Sequence, residues 1–180
     1  MTRVTSFLKN DIKIMVEMRK MQFKIYEEKN FGRVLKYLEP TEPGILDPLI
    51  EEILQGEIAC SIGMKSDAFL MGVARVLKDK RAKREKAFHS GEILVTEKTD
   101  PSCETIMIKS RVIITDVGGV LSHAAVESRN MKIPCIINTH HSTELIPDGV
   151  IILIRINPKE DYLASIFRIT SDELISQLQQ

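Results

Sequence analysis

The sequence has few of the features that mark a secreted or membrane protein. Its only cysteines, Cys60, Cys103 and Cys135, are odd in number and widely spaced, so they indicate neither a disulfide framework nor a zinc site. We expect all three to be reduced and structural. No apolar run approaches the ~20 residues that cross a bilayer, and the N-terminus lacks the apolar segment of a signal peptide. We therefore predict a cytoplasmic location and no membrane partner.

An excess of charge of one sign is also missing. The 25 basic and 25 acidic residues cancel to a formal net charge of +0, which argues against a nucleic-acid partner. The single basic run, Lys78–Lys86, has two interpretations, a solvated loop between strands or a docking patch, and the loop is favoured. With 43% hydrophobic and 28% charged residues, the 180-residue chain has the composition of a globular protein. Its length suffices for one core and a small helical appendage.

The most informative segment is Thr115–Ala125, with the sequence TDVGGVLSHAA. The apolar residues Val112–Ile114 before it predict a buried strand, which ends in a turn at Gly118 and Gly119. Ser122 is then an expected N-cap, so that His123 lies in the first turn of a helix. Helix N-termini favour bound negative charge, and a histidine there can act as a nucleophile that carries a phosphoryl group.

Each of these residues also has a simpler interpretation. A lone histidine is more often structural, and paired glycines most often only make a turn. Ser122 is either a cap or a hydroxyl that hydrogen-bonds the phosphate, and the cap alone suffices to explain it. Arg129 is six residues past His123, so a docking or ion-pair role is favoured over phosphate contact. Thr115 and Asp116 are typical of strand-end turns.

The segment Thr115–Ile136 resembles the mobile phosphohistidine domain of the phosphoenolpyruvate-utilising enzymes, which include phosphoenolpyruvate synthase, pyruvate phosphate dikinase, enzyme I and rifampicin phosphotransferase. The shared pattern is a Thr-Asp-x-Gly-Gly turn, then Ser/Cys-His-Ala-Ala, an arginine and an Ile-Pro strand entry. The resemblance extends to flanking segments: Gly72–Leu77, Gly91–Val95, Thr99–Pro101, Thr139, Thr143–Glu144 and Asp148–Gly149.

This resemblance implies a carrier function. His123 would accept a phosphoryl group from ATP or phosphoenolpyruvate and pass it to an acceptor, with Gly118, Gly119 and Ser122 positioning the phosphate and Arg129 serving docking. Mg2+ and the phosphoryl donor would be held by partner domains: an ATP-grasp-type nucleotide-binding domain or subunit, and a barrel that binds pyruvate or phosphoenolpyruvate. The chain itself would bind no cofactor tightly, and no metal site is predicted.

Two departures from the family pattern stand out. Many dikinases and synthases have Thr-Cys-His where this chain has Leu121-Ser122-His123. In those enzymes the threonine is a regulatory phosphorylation site, and Leu121 cannot be phosphorylated. The apolar strand Val150–Ile156 runs into Asn157–Asp161 without the expected glycine, so the C-terminal edge of the domain is expected to differ. The adjacent His140 and His141 are expected in a turn before a helix at Ser142, and not in a metal site.

The N-terminal residues have a different pattern. Apolar residues such as Phe7, Ile12 and Met15 follow helical spacing, and a second helix is expected from Asp47 as cap to Gly56. The predicted fold is α/β, a β/β/α swivelling phosphohistidine domain over residues 56–180 with a helical arm or linker over residues 1–55.

Three functions remain open at this point. The chain is a phosphoryl carrier for a phosphotransferase, one subunit of a split enzyme of this kind, or a non-catalytic binding or regulatory module that retains the fold. The intact motif around His123 favours a carrier. The sequence leaves the donor, the acceptor, the oligomeric state and the role of the N-terminal helices undetermined.

Overall fold

The computed structural model describes residues 50–61, 68–78, 88–156 and 162–169, all of which belong to one compact unit, Leu46–Gln180. The strands are β1 (Ile50–Cys60), β2 (Ala68–Leu77), β3 (Ile93–Thr96), β4 (Val112–Thr115), β5 (Cys135–Ile137), β6 (Ile151–Ile156) and β7 (Leu163–Ile169). The short helices are a 3-10 turn (Pro101–Cys103), α1 (Glu104–Met107), α2 (His123–Met131) and α3 (Ser142–Leu145). The predicted mixed α/β fold is confirmed.

The seven strands form one closed sheet in the order β1-β5-β4-β3-β2-β6-β7. Strands β2, β3, β4 and β5 run parallel to one another, while β1, β6 and β7 pair antiparallel with their neighbours. All four residues of β3 and of β4 are buried, as expected for parallel strands whose two faces are covered. Because β3 and β4 are parallel neighbours, the loops that follow them emerge at the same edge of the sheet.

Helix α2 begins where the sequence predicts. The Ser122 hydroxyl accepts a hydrogen bond from the Ala125 N–H, and Lys132 closes the other end with a left-handed backbone at φ 56°. Ala124 and Ala125 are 3% and 0% exposed, because their small side chains let the helix pack closely on the sheet. The expected N-cap, the first turn at His123 and the short helix at Ser142 are confirmed.

The helix predicted from Asp47 to Gly56 is wrong in its described part, because residues 50–56 belong to β1. The strand has a register shift between Glu52 and Leu54, and this irregularity offsets the apolar residues into a spacing that imitates a helix. Gly56 does not end a helix either. It lies inside β1, where an added Cβ would be 2.5 Å from the Ile136 and Thr139 side chains.

Two further predictions concern the ends of the domain. The boundary predicted between residues 55 and 56 falls inside β1. Residues 1–49 of the arm predicted over residues 1–55 lie outside the described residues, as do residues 79–86 of the basic run. Strand β6 confirms the apolar strand predicted over Val150–Ile156, whereas β7 was not predicted. It pairs with both β6 and β1 and closes the sheet. Within the described residues, no helix has the length and apolar character to span a membrane.

Candidate functional site

A strand, a turn and a helix position His123. Strand β4 ends at Thr115, and the chain turns at Gly118, whose φ of +151° is rare for residues with a side chain. An added Cβ at Gly118 would lie 3.1 Å from the Ser122 Oγ, so the turn also brings the backbone close to the cap. Helix α2 then starts at His123, where the N–H groups of the first turn have no partner within a helix. The histidine therefore lies where a helix favours an anion.

The His123 ring has a different neighbour at each nitrogen. Nδ1 is 3.0 Å from the Thr99 Oγ1, a hydrogen-bond distance, and Nε2 is 4.0 Å from the Glu104 Oε1. The His123 side chain is 23% exposed, whereas Thr99 is buried. Nδ1 is therefore engaged by a buried hydroxyl, whereas Nε2 faces the Glu104 carboxylate at a distance longer than a hydrogen bond.

Thr99 and Glu104 reach the histidine because the β3 loop and the β4 loop share one edge of the sheet. The β3 loop is shaped by Asp100, whose carboxylate accepts a hydrogen bond from the Ser102 N–H at 3.0 Å and another from the Ser102 hydroxyl. This cap starts the 3-10 turn with Pro101 in its first position, and α1 follows directly at Glu104. The segment thus presents a hydroxyl and a carboxylate to one ring.

Asp116 has a structural role at the base of the site. Its buried carboxylate accepts hydrogen bonds from the Ser142 hydroxyl at 2.5 Å, the Thr143 N–H at 3.1 Å, the Thr143 hydroxyl at 2.5 Å and the Thr139 hydroxyl at 3.3 Å. These bonds fix the start of α3 to the end of β4. The prediction that Asp116 belongs to strand-end turn chemistry agrees with this arrangement.

The other predicted site residues lie around the same helix start. The Ser122 Oγ is 3.4 Å from the Ala125 N–H that it caps. Gly119 has no heavy atom within 4 Å of an added Cβ. Arg129 is exposed, and its guanidinium donates to the carbonyl oxygens of Ala59, at 3.2 Å, and Val120. Arg129 therefore ties α2 to β1 and to the turn, and its docking role stays a prediction.

Three apolar residues of the turn are exposed beside the histidine. Val117 is 47%, Val120 58% and Leu121 86% exposed. They lie in the six residues immediately before the histidine, so the exposed apolar side chains are grouped in one turn and not scattered singly. The turn that carries the motif therefore has an apolar surface next to His123.

The histidines and cysteines outside the motif form no second site in the described part of the chain. His140 and His141 lie beside α3, and His141 Nδ1 is 3.3 Å from the Glu144 carboxylate. Among the described residues, no group of three or more His, Cys, Asp or Glu side chains could hold a metal ion. All three cysteines are free, and burial raises the pKa of the Cys135 thiol to about 12. Cys135 is thus a core residue and not a nucleophile.

Sequence analysis missed the roles of Thr99 and Glu104. Thr99 was noted only as part of a turn, and Glu104 was not considered. Their position in the loop after β3 could have identified them. Because β3 and β4 are parallel neighbours, the loop after β3 lies at the same edge of the sheet as His123.

Comparisons with known proteins assign this part of the chain to a family. Residues 88–157 match the family of the mobile domain of PEP-utilising enzymes. The chain is 44% identical over 79 residues to a probable phosphoenolpyruvate synthase of Staphylothermus marinus, a match that covers 44% of this chain and 10% of that protein.

Two more relatives match over longer stretches. A phosphoenolpyruvate synthase of Helicobacter pylori is 33% identical over 128 residues, which are 71% of this chain and 14% of the relative. A rifampicin phosphotransferase of Bacillus cereus is 30% identical over 157 residues, 86% of this chain and 17% of the relative. The chain thus spans between 10% and 17% of the length of these three relatives. Residues 88–157 thus match the mobile domain of the PEP-utilising enzymes, and the relatives that share this part of the chain are named phosphoenolpyruvate synthases and a rifampicin phosphotransferase.

Proposed function

We propose that this chain is a phosphoryl carrier in which His123 accepts a phosphoryl group from ATP or phosphoenolpyruvate and passes it to an acceptor held by partner domains or subunits. The observation that carries the proposal is the pairing of the His123 Nδ1 with the Thr99 Oγ1 at 3.0 Å, at the start of α2. With a proton on Nδ1 donated to Thr99, the lone pair of the neutral ring is on Nε2, the nitrogen that faces the Glu104 carboxylate.

The proposed step is an in-line displacement at phosphorus. The Nε2 lone pair forms the nitrogen–phosphorus bond, the bond from phosphorus to the leaving oxygen breaks, and the leaving group takes that electron pair. The Nδ1 proton stays on the ring, and Thr99 accepts its hydrogen bond. N–H groups of the first turn of α2 and of the Gly118–Gly119 turn stabilise the charge on the phosphoryl oxygens. Transfer to the acceptor reverses these steps.

The catalytic components come from partners in this proposal. Mg2+ and ATP would be held by an ATP-grasp-type nucleotide-binding domain or subunit, and pyruvate or phosphoenolpyruvate by a separate barrel. The exposed Val117, Val120 and Leu121 support such docking, because a partner that covers them would exclude water from the His123 site. Arg129 would hold the turn in the shape that the partner meets.

The test is phosphorylation by a partner in trans. The chain is incubated with Mg2+ and either ATP or phosphoenolpyruvate, together with the Helicobacter pylori phosphoenolpyruvate synthase in which that enzyme's own motif histidine is replaced by alanine. We expect intact mass to increase by one phosphoryl group that acid removes. The increase should vanish in His123→Ala and persist in His141→Ala, because His141 is an exposed histidine outside the motif.

Two results would argue against a carrier. Phosphorylation that persists in His123→Ala would exclude this histidine as the acceptor. A chain that stays unmodified with every donor and with synthase partners, while the unaltered synthase modifies its own histidine, would favour the alternative of a non-catalytic binding or regulatory module that retains the fold.

A further inference from the structure

The Glu104 carboxylate faces the reactive nitrogen of His123. Its Oε1 is 4.0 Å from the His123 Nε2, and Glu104 reaches this position as the first residue of α1. The start of α2 favours negative charge, so the Glu104 carboxylate and a phosphoryl group on Nε2 would compete for the same favourable place. We propose that Glu104 destabilises the phosphorylated state of His123, so that the group loads less readily and leaves more readily. This inference rests on the proposed carrier function.

The short distance between Glu104 and Nε2 brings the negative charge of the carboxylate close to that of a phosphoryl group on His123. A phosphorus atom bonded to Nε2, with its three oxygens, occupies the gap in which the carboxylate now lies. The phosphoryl oxygens carry negative charge, so they repel the carboxylate or force the Glu104 side chain to turn away. Either outcome raises the free energy of the phosphorylated state relative to the free histidine.

No cation offsets this repulsion in the described part of the chain, where the one ionic partner of the Glu104 carboxylate is His123 itself. Thr99 holds the opposite ring nitrogen, so the ring cannot swing Nε2 away from Glu104 without losing that hydrogen bond. The carboxylate is 54% exposed, which means that solvent and salt weaken the effect without abolishing it.

This arrangement suits a carrier. A phosphoryl group bound too tightly to His123 would not be passed on, whereas a neighbouring carboxylate lowers the barrier to its departure by raising the energy of the loaded state. Glu104 therefore favours the empty carrier over the loaded one.

The experiment measures the lifetime of phosphohistidine without any partner protein. Phosphoramidate, a small inorganic phosphoryl donor, phosphorylates the full chain, and His123→Ala identifies the signal that belongs to His123. The half-life of that signal is followed by intact mass in the native chain, in Glu104→Gln and in Glu104→Asp. Glu97→Gln is the matched control, since Glu97 is an exposed carboxylate on the same loop.

We expect Glu104→Gln to lengthen the half-life about threefold to tenfold at low salt and to load faster. The Glu104→Asp chain should stay closer to the native chain, and Glu97→Gln should match it. The difference between the native chain and Glu104→Gln should shrink at ~1 M salt, where the screening length is ~3 Å. A purely structural role for Glu104 would leave no such salt dependence.

Three outcomes would overturn the proposal: equal half-lives in the native chain and Glu104→Gln, a difference that is the same at low and high salt, or a His123 that phosphoramidate modifies only after the chain is unfolded. Failure of the carrier function is a separate result. It would appear as an absence of transfer from the synthase partner, while the chemically loaded chain still reports the effect of Glu104.

Discussion

Thr99 and His123, which are 24 residues apart in sequence, form a hydrogen bond of 3.0 Å between the Thr99 Oγ1 and the His123 Nδ1. Thr99 is buried and follows β3, whereas His123 starts α2 after β4. The pairing of β3 with β4 therefore determines which ring nitrogen is available. A function that uses one specific nitrogen of His123 depends on a contact between two loops.

Thr99→Val tests this contact, because valine keeps the shape and removes the hydroxyl. We expect phosphorylation of His123 by phosphoramidate to slow about fivefold, which corresponds to the ~1 kcal/mol of one hydrogen bond. We also expect it to occur at both ring nitrogens. NMR of the nitrogen–phosphorus linkage distinguishes the two products. Thr99→Ser should retain native behaviour. A Thr99→Val chain that loads at the native rate and at Nε2 alone would remove Thr99 from the mechanism.

The Ser122 hydroxyl caps α2, and we expect its removal to lower mainly the stability of the fold. Ser122→Ala should lower the free energy of unfolding by about 1 kcal/mol, measured by urea denaturation. Ser122→Asn supplies another cap and should restore both stability and the loading of His123. If Ser122→Asn were as stable as the native chain but loaded slowly, the hydroxyl would have to contact the phosphate directly.

The two glycines of the turn should respond differently to alanine. Gly118→Ala forces a side chain onto a backbone with φ +151° and close to the Ser122 Oγ, so we expect a loss of about 1–3 kcal/mol. Gly119→Ala should change stability by less than ~0.5 kcal/mol, because its added Cβ meets open space. We expect Gly119→Ala to slow loading nonetheless, since the methyl group blocks close approach of the phosphoryl group. Native loading in that variant would remove Gly119 from the phosphate site.

The motif was predictable from sequence because its signals are local. Two glycines form the turn after β4, a serine caps α2, and small residues follow, all within Thr115–Ala125. The contact of Thr99 with His123 was not predictable in this way, since it requires the parallel pairing of β3 and β4. Local patterns determine what each segment forms, but only the sheet determines which loops meet.

The errors at the ends of the domain have the same origin. Residues 50–56 were predicted to be a helix, because the register shift in β1 breaks the alternation that identifies strands. The extended form is stabilised by pairing with β7, over a hundred residues away in sequence. Strand β7 itself was missed, since its role in closing the sheet depends on both β1 and β6.

Asp116 is expected to be the strongest single stabilising polar residue near the site. Asp116→Ala removes a buried carboxylate that accepts bonds from Thr139, Ser142 and Thr143. The Thr139 hydroxyl keeps its bond to the Thr115 carbonyl oxygen, whereas the Ser142 and Thr143 hydroxyls lose this acceptor. We expect a loss of about 2–4 kcal/mol in urea denaturation. Glu144→Ala, an exposed carboxylate on the same segment, should cost less than ~0.5 kcal/mol. A loss below ~1 kcal/mol for Asp116→Ala would mean that the neighbouring hydroxyls find other partners.

The acid sensitivity of the domain should depend on Glu92. The Arg75 guanidinium is bound to both Glu92 oxygens, at 2.7 and 3.3 Å, and the His89 N–H donates to the same carboxylate at 2.9 Å. Burial is the largest single effect and raises the pKa of Glu92, but the hydrogen bonds and the charge of Arg75 together hold this pKa below its usual 4.5.

The lowered pKa of Glu92 determines how the stability of the domain changes with pH. A carboxylate with a lowered pKa in the folded state contributes its full stability above the unfolded pKa of 4.5, and the contribution is lost as the pH falls through the folded value. Glu92→Gln should therefore be less stable than the native chain near neutral pH, and its urea midpoint should fall less steeply on acidification below 4.5. Glu97→Gln should retain the native pH profile. Parallel acid profiles for the native chain and Glu92→Gln would mean that other carboxylates govern acid unfolding and that the Arg75 pair contributes equally at every pH.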